Sequence, residues 1–424
     1  MAQLSDDCFA FSGPLMPVDE VERLIAARVA PVGGIEQVAL PAALGRVLAA
    51  DVRAPVDLPP FANSAVDGYA VRHAGLDPHG ETRLRIADRV TAGRAAGTPL
   101  VAGQAVRIFT GAPMPDGADT VFMQEDTRIE DDSVVVPAGL KLGANRRLAG
   151  EDVTAGSVAL RAGCRLSPPH VALASALGIA ALAVRRRVRV ALFSTGDEIS
   201  EPGTALAPAQ VYDANRQLVI GLLQRLGGAV TDLGILGDQP DRLAAALRAA
   251  ATDHDLVLTT GGVSTGEADY VRDAVAQVGR LVFWRVAIKP GRPVAMGVIR
   301  GPRGDAGAAF VGLPGNPVAV FVTFVRVVRP LLLRLAGAEP EPLIALPVKA
   351  AFSYRKKKGR REYVRVTLAP AGEGGVAAQK YPREGAGVLS SLTETDGLAE
   401  IGEDVTAIEP GATIGFLPYA VLTS

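Results

Sequence analysis

Val188-Arg189-Val190-Ala191-Leu192-Phe193-Ser194-Thr195-Gly196-Asp197-Glu198 is an apolar run that breaks into a glycine turn bearing two acids. The grammar recurs twice. Leu256-Val257-Leu258 leads into Thr259-Thr260-Gly261-Gly262-Val263-Ser264-Thr265-Gly266-Glu267-Ala268-Asp269, and Phe310-Val311-Gly312-Leu313 leads into Pro314-Gly315-Asn316-Pro317. Short apolar runs bounded by turn residues read as buried strands. Amphipathic stretches lie between them, at residues 215–226, 241–251 and 270–278. Strand–helix alternation predicts parallel strands with crossover helices, hence an α/β sheet. Further runs at 230–236, 281–288 and 294–299 extend it, and a long helix starting at Pro317 closes it, proline being tolerated at the first helical position.

Outward from this unit the pattern changes. Residues 18–28 read as a helix with Asp19 and Glu20 in the first turn, where the dipole favours acids. From about 53 to 151, alternating runs such as Arg83-Leu84-Arg85-Ile86 and Ser133-Val134-Val135-Val136 are divided by Gly and Pro, which marks a β-rich unit. A helical pattern resumes at 170–182, so the β unit reads as an insertion. After Pro340 helices are not expected, and 348–352, 363–368 and 376–379 read as strands of a C-terminal β domain.

Composition narrows the class. At 424 residues the chain is long enough for about two to four domains. Lys plus Arg (44) nearly cancels Asp plus Glu (45), so no basic field argues for nucleic acid. The two cysteines, Cys8 and Cys164, offer no CxxC zinc signature and suit a reducing compartment, and the four histidines share no metal-ligand spacing. Residues 1–11 carry acids and no apolar core, unlike a signal peptide. The apolar stretch after Asn316 is interrupted by Arg326, Arg329 and Arg334, which predicts a packed helix rather than a membrane span. A cytoplasmic protein is expected.

In an open α/β sheet, ligands bind beyond the carboxyl ends of the strands, where all three glycine turns should fall. Glycines let the backbone approach an anion, a helix N-terminus adds partial positive charge, and Thr260, Ser264 and Thr265 would add neutral donors. Glu198 and Asp269 lie beside these turns. Carboxylates next to phosphates repel unless a divalent cation lies between them, which implies magnesium. Lys289 and Arg292, flanking Pro290-Gly291, would supply compensating charge. The glycine spacing is neither a P-loop nor a GxGxxG fingerprint. Taken singly, Gly261-Gly262 is an ordinary turn, Glu198 a solvated acid and Pro314-Gly315-Asn316-Pro317 helix punctuation.

Six segments in register resemble one family. They are Asn63-Ser64-Ala65-Val66-Asp67-Gly68-Tyr69-Ala70, Thr110-Gly111-Ala112-Pro113-Met114-Pro115, Gly150-Glu151-Asp152, Ser194-Thr195-Gly196-Asp197-Glu198, the long glycine loop from Thr259, and Gly312-Leu313-Pro314-Gly315-Asn316-Pro317. Together they resemble the MoeA family of molybdopterin molybdenumtransferases, relatives of the gephyrin E domain. The resemblance implies a multidomain α/β fold: a discontinuous arm domain (18–52 and 153–186), an inserted β-rich domain (53–152), a molybdopterin-binding α/β domain (187–337) and a C-terminal β barrel (338–424). It also implies a homodimer whose clefts join the α/β domain of one subunit to the arm of the other.

Residue by residue, the resemblance assigns Asp67, Thr110, Asp152, Glu198, Asp238 and Asp269 to catalysis, with Glu198, Asp238 and Asp269 as magnesium ligands. It assigns Gly261, Gly262, Ser264, Arg285, Lys289, Pro314, Pro317, Arg365 and Ser390 to substrate binding, with Lys289 and Arg365 on molybdate. This chain departs from the pattern at Ala62, where Asp is usual, at Arg285 and Arg292, which replace lysines, and at Ala386, where serine is common. Ser390 or Ser391 would stand in for that hydroxyl. The basic run 355–361 reads as a solvated hairpin loop for most of its charges.

The implied reaction joins molybdate to adenylylated molybdopterin and releases AMP. The dithiolene of the substrate supplies soft sulfur ligands, so the site needs no cysteine. Implied partners are these substrates and, transiently, the adenylyltransferase and molybdoenzyme-specific chaperones, with neither nucleic acid nor membrane. Two rival functions differ in what they require of the chain. An adenylyltransferase of the same α/β fold would not need the motifs around Asp67 and Thr110. A gephyrin-like scaffold would not need the acidic set.

Overall fold

The computed structural model describes residues 15–94, 97–237, 239–262, 270–291, 293–301, 307–372 and 375–423. At its centre is a six-stranded sheet in the order Ala229–Leu236, Arg189–Thr195, Leu256–Thr260, Gly307–Leu313, Pro293–Arg300, Gly279–Arg285. Along Arg189–Thr195, Val190 and Leu192 face one hydrophobic core while Ala191 and Phe193 face a second. Burial on both faces is what turns a period-2 strand into a continuous apolar run. The helix Asn215–Arg225 contributes to the first core, and Pro240–Asp253 and Tyr270–Val278 to the second.

The first four strands are parallel, as expected. One strand of the remaining two is reversed. Pro293–Arg300 runs antiparallel to both its neighbours, because the connections before and after it are too short for a crossover. The run read at 281–288 is also split. Its first part closes the sheet edge, while Ile288–Lys289 pairs in parallel with Arg361–Pro370 of the C-terminal unit.

The helix from Pro317 is continuous but not uniform. Pro317–Thr323 passes through a π turn, Phe324–Val328, into Arg329–Leu335. The Arg329 N–H reaches back to the Phe324 carbonyl. This wider turn precedes Pro330, which has no N–H and would clash in a regular helix. Val18–Arg28 is helical over the expected residues. Its apolar face, expected with the arm, instead packs Val21, Leu24 and Ile25 into the first core of the α/β unit, and its carboxylate Glu22 faces Arg326 at 3.5 Å.

Segments on either side of the β-rich stretch pair with one another. Ile35–Ala39 lies antiparallel to Ala181–Arg185, and Val52–Arg53 pairs with Val158–Leu160. Between them sits a six-stranded sheet, including Thr82–Val90 and Ser133–Val136, with its own cores. The helix expected over 170–182 spans only Pro168–Ala176. Gly178, at φ 76°, ends it in a left-handed turn, and the Ile179 N–H bonds Ala174 O at 3.0 Å. The residues after it are drawn off as the strand Ala181–Arg185.

The C-terminal unit is a closed barrel. Ile288–Lys289, Arg361–Pro370, Val376–Lys380, Leu346–Ala350, Thr413–Pro418 and Gly397–Ile401 follow one another, and Arg361–Pro370 also pairs with Gly397–Ile401, which seals the ring. It does carry short helical turns, Leu389–Leu392 and Tyr419–Leu422. No helix among the described residues is long and apolar enough to cross a membrane.

Candidate functional site

The three glycine turns follow three adjacent parallel strands, so they lie on one edge of the sheet, as expected. Their glycines are explained first by packing. Gly261 (φ 89°) would set a Cβ 2.7 Å from the Thr195 carbonyl, and Gly262 (φ 65°) one 2.6 Å from side-chain carbons of Thr195 and Val271. Glu198 is exposed on the turn behind Gly196, and Pro314 and Pro317 flank the third turn, both half-buried. Thr260, expected to donate to a ligand, is buried and shares a 2.8 Å hydrogen bond with Ser194. At the Pro317 helix, the Val318 N–H is already taken by Ala386 O at 2.9 Å. Asp238, Ser264 and Asp269 lie outside the described residues, as do Thr265, Arg292 and the side chain of Arg285.

On the arm, Asp67 and Thr110 meet. One carboxylate oxygen of Asp67 accepts from the Thr110 N–H at 2.7 Å and from its hydroxyl at 2.8 Å. These bonds, the backbone one foremost, hold Asp67 below the usual carboxylate range, with Arg107 adding to them. Gly68 lets the strand that follows approach its neighbour, since a Cβ there would lie 1.7 Å from Phe122 O. Arg107 covers the rings of Tyr69 and Phe109 and donates to Gly68 O. Asp152 is exposed beside residue 58, its N–H bonded to Leu58 O. Among the described residues, no three His, Cys, Asp or Glu side chains gather in a group that could hold a metal ion. Within one chain, therefore, the described acids stay dispersed.

The barrel presents the opposite case. A cavity of about 210 Å³ is lined by Lys289, Tyr354, Arg365, Lys380, Glu384 and Ala386, among others. Lys289 enters on the two-residue strand that the α/β unit lends to the barrel, in register with Glu362. Its ammonium donates to Glu362 at 3.2 Å, and the Tyr354 hydroxyl donates to the same oxygen at 2.7 Å. Arg360 bonds the other oxygen at 2.9 Å. Burial pushes the Glu362 carboxyl up, but the Tyr354 hydroxyl and Lys289 outweigh it and hold it below its usual value.

Arg365 is 8% exposed. Its Nε donates to Ser391 Oγ at 3.0 Å, and Nη2 donates to the carbonyls of Arg383 and Gly385. Among the described residues no acid forms an ion pair with it. Burial pushes its pKa down. Guanidinium stays protonated in proteins, so a buried one that no direct ion pair neutralises favours an anion beside it. Ser391 thus supports Arg365 directly. Ser390 lies 3.4 Å from the Tyr381 hydroxyl, outside the lining.

The basic run is largely used up in pairing. Arg361 bonds Asp19 and Glu403, Lys356 donates to the carbonyls of Glu403 and Val405, and Lys358 faces Asp404. The sequence reading missed Glu362, Tyr354, Lys380 and Glu384. Glu362 and Arg365 lie three apart, on opposite faces of one strand, and which face met the cavity depended on barrel closure.

Three family profiles cover the chain in order: the MoeA N-terminal region (domain I and II) at residues 16–178, a probable molybdopterin binding domain at 191–334, and the MoeA C-terminal region (domain IV) at 347–419. A molybdopterin molybdenumtransferase of Haemophilus influenzae is 36% identical over 389 residues, 91% of this chain and 94% of that protein. One of Nostoc is 39% identical over 306 residues, 71% of this chain and 70% of that one. The crystal structure of the molybdopterin biosynthesis moeA protein of Pyrococcus horikoshii superposes with a TM-score of 0.78 at 30% identity, covering 96% of this chain and 100% of that one.

Proposed function

We propose that this chain, which belongs to the MoeA family and serves molybdenum cofactor biosynthesis, joins molybdate to the dithiolene of adenylylated molybdopterin and releases AMP. One observation carries the molybdate half: a buried arginine that forms no ion pair among the described residues, facing a cavity that also receives Lys289. An oxyanion there would be held by charge-assisted hydrogen bonds in a fixed geometry. The dithiolene sulfurs, soft ligands, then replace oxygen on the molybdenum, and the displaced oxygen leaves as water with the thiol protons, with no change of oxidation state.

The acids take the other half. Glu198, Asp238 and Asp269 are proposed to hold magnesium and Asp67, Thr110 and Asp152 to position the pyrophosphate. Carboxylate oxygens are suitable donors for this hard cation. When bound, magnesium offsets phosphoryl charge and orients the leaving group. The described residues supply one of these ligands, Glu198, so the set is proposed from the family pattern and donor chemistry. Thr110 locks the Asp67 carboxylate as an anion with a fixed direction. In our reading the arm acids of one subunit meet the sheet edge of another in a homodimer.

A turnover assay with adenylylated molybdopterin, with and without molybdate, tests the reaction. AMP release and cofactor formation that both depend on molybdate are expected, and neither product appearing would sink the proposal. Asp269→Asn should greatly weaken AMP release at limiting magnesium. Unchanged release in that variant would remove Asp269 from the site.

A further inference from the structure

The barrel cavity contains a carboxylate of its own. Glu384 belongs to the lining, and its side chain is 72% exposed at the rim. It pairs with Lys380, which also lines the cavity and is 23% exposed. The Lys380 ammonium lies 5.6 Å from the centroid of the Tyr354 ring, and Lys289 lies 6.0 Å from the same centroid. Two ammonium groups therefore flank one ring. Glu384 is held below the usual carboxylate range chiefly by Lys380, with Lys289 and Arg365 adding to it. The carboxylate thus feels all three cations that an incoming oxyanion would meet.

We propose that Lys380 is a further oxyanion ligand of this cavity and that Glu384 is the tethered carboxylate an incoming oxyanion displaces from it. This rests on the reading of the cavity as the molybdate site. The physical reason is competition. A carboxylate on a short loop beside the site satisfies Lys380 while the cavity is empty, and an anion must replace that contact. A doubly charged oxyanion gains contacts to Lys289, Arg365 and Lys380 at once, whereas a singly charged one gains less for the same displacement. Glu384 thereby biases the cavity toward dianions and weakens binding of every anion.

Equilibrium dialysis of the full-length protein against molybdate tests this, using the parent, Lys380→Ala, Glu384→Gln, the double variant, Arg365→Ala and Asp404→Asn. Glu384→Gln should bind molybdate about two- to fivefold more tightly, the range open to a largely exposed pair. Lys380→Ala should bind more weakly, and adding Glu384→Gln to it should bring little further change, because the displaced contact is already gone. Asp404→Asn removes an exposed charge that is not part of the lining and should leave binding unchanged. Unaltered or weaker binding in Glu384→Gln, an equal gain in Asp404→Asn, or an equal gain with and without Lys380 each overturn the inference. If Arg365→Ala weakens binding while Glu384→Gln is silent, the cavity stands and this inference falls. If Arg365→Ala is also silent, the reading of the cavity falls first.

Discussion

The barrel cavity and the sheet edge both gather residues that the family resemblance assigns to the site, yet they are built differently. In the barrel, Lys289, Arg365 and Ala386 come from three distant segments and line one cavity of a single chain. Buried Glu362 and Ser391 fix the two cations from behind. At the sheet edge and on the arm, Glu198 and Asp152 are exposed and Asp67 is half-buried, bonded to its neighbour Thr110. The difference teaches where each half gets its order. The barrel residues are ordered by closure of one chain, while among the described residues Glu198, Asp67 and Asp152 do not gather into one group; the proposed homodimer would bring them together.

The largest expected effect tests the preorganised half. Arg365→Ala should raise the apparent molybdate constant by roughly ten- to hundredfold, the worth of a charged hydrogen-bond donor. A constant equal to the parent's would move the anion site out of the barrel. The next contrasts the two halves directly. Mixing Asp67→Ala with Glu198→Ala should restore roughly a quarter of parent turnover, since half the dimers are hybrids and each has one intact cleft. Mixing Lys289→Ala with Arg365→Ala should restore nothing, because both residues serve the same cavity. Rescue of the second pair, or none of the first despite verified subunit exchange, breaks the comparison.

A smaller change is expected at Ala386. Restoring serine adds one neutral donor, so Ala386→Ser should lower the molybdate constant by no more than about tenfold and by less than Arg365→Ala raises it. The smallest concerns stability. Glu362 is held below its usual value in the folded chain, so its contribution is present above the unfolded value near 4.5 and is lost as pH falls through the lower folded value. Glu362→Gln should therefore lower stability by about 1 kcal/mol at neutral pH, a discounted figure because Lys289 is half-exposed. The gap to the parent should close in acid. Denaturant titrations at neutral and acid pH would show it, and a gap that persists undiminished would mean the carboxylate's charge is not what the barrel uses.

Much of this was legible in the chain itself. Residues 18–28 and 133–136 form the elements their periodicity predicts, and the three glycine turns fall on one edge because local apolar runs and turn residues dictate strand ends. The motifs were legible too, since each is contiguous. What escaped depended on partners far away in sequence. Ala181–Arg185 continues an apolar helical pattern, yet pairing with Ile35–Ala39 makes it a strand. Thr260 looked like a free donor until Ser194 from the adjacent strand took its hydroxyl. Ile288–Lys289 reads on as part of one run with the sheet's last strand, and only barrel closure moves it to another sheet and brings Lys289 opposite Glu362. Period and turn chemistry act over a few residues, so sequence determines them. Which strand pairs with which, and which charge meets which, is decided by non-local contacts that exist only once the sheets have closed.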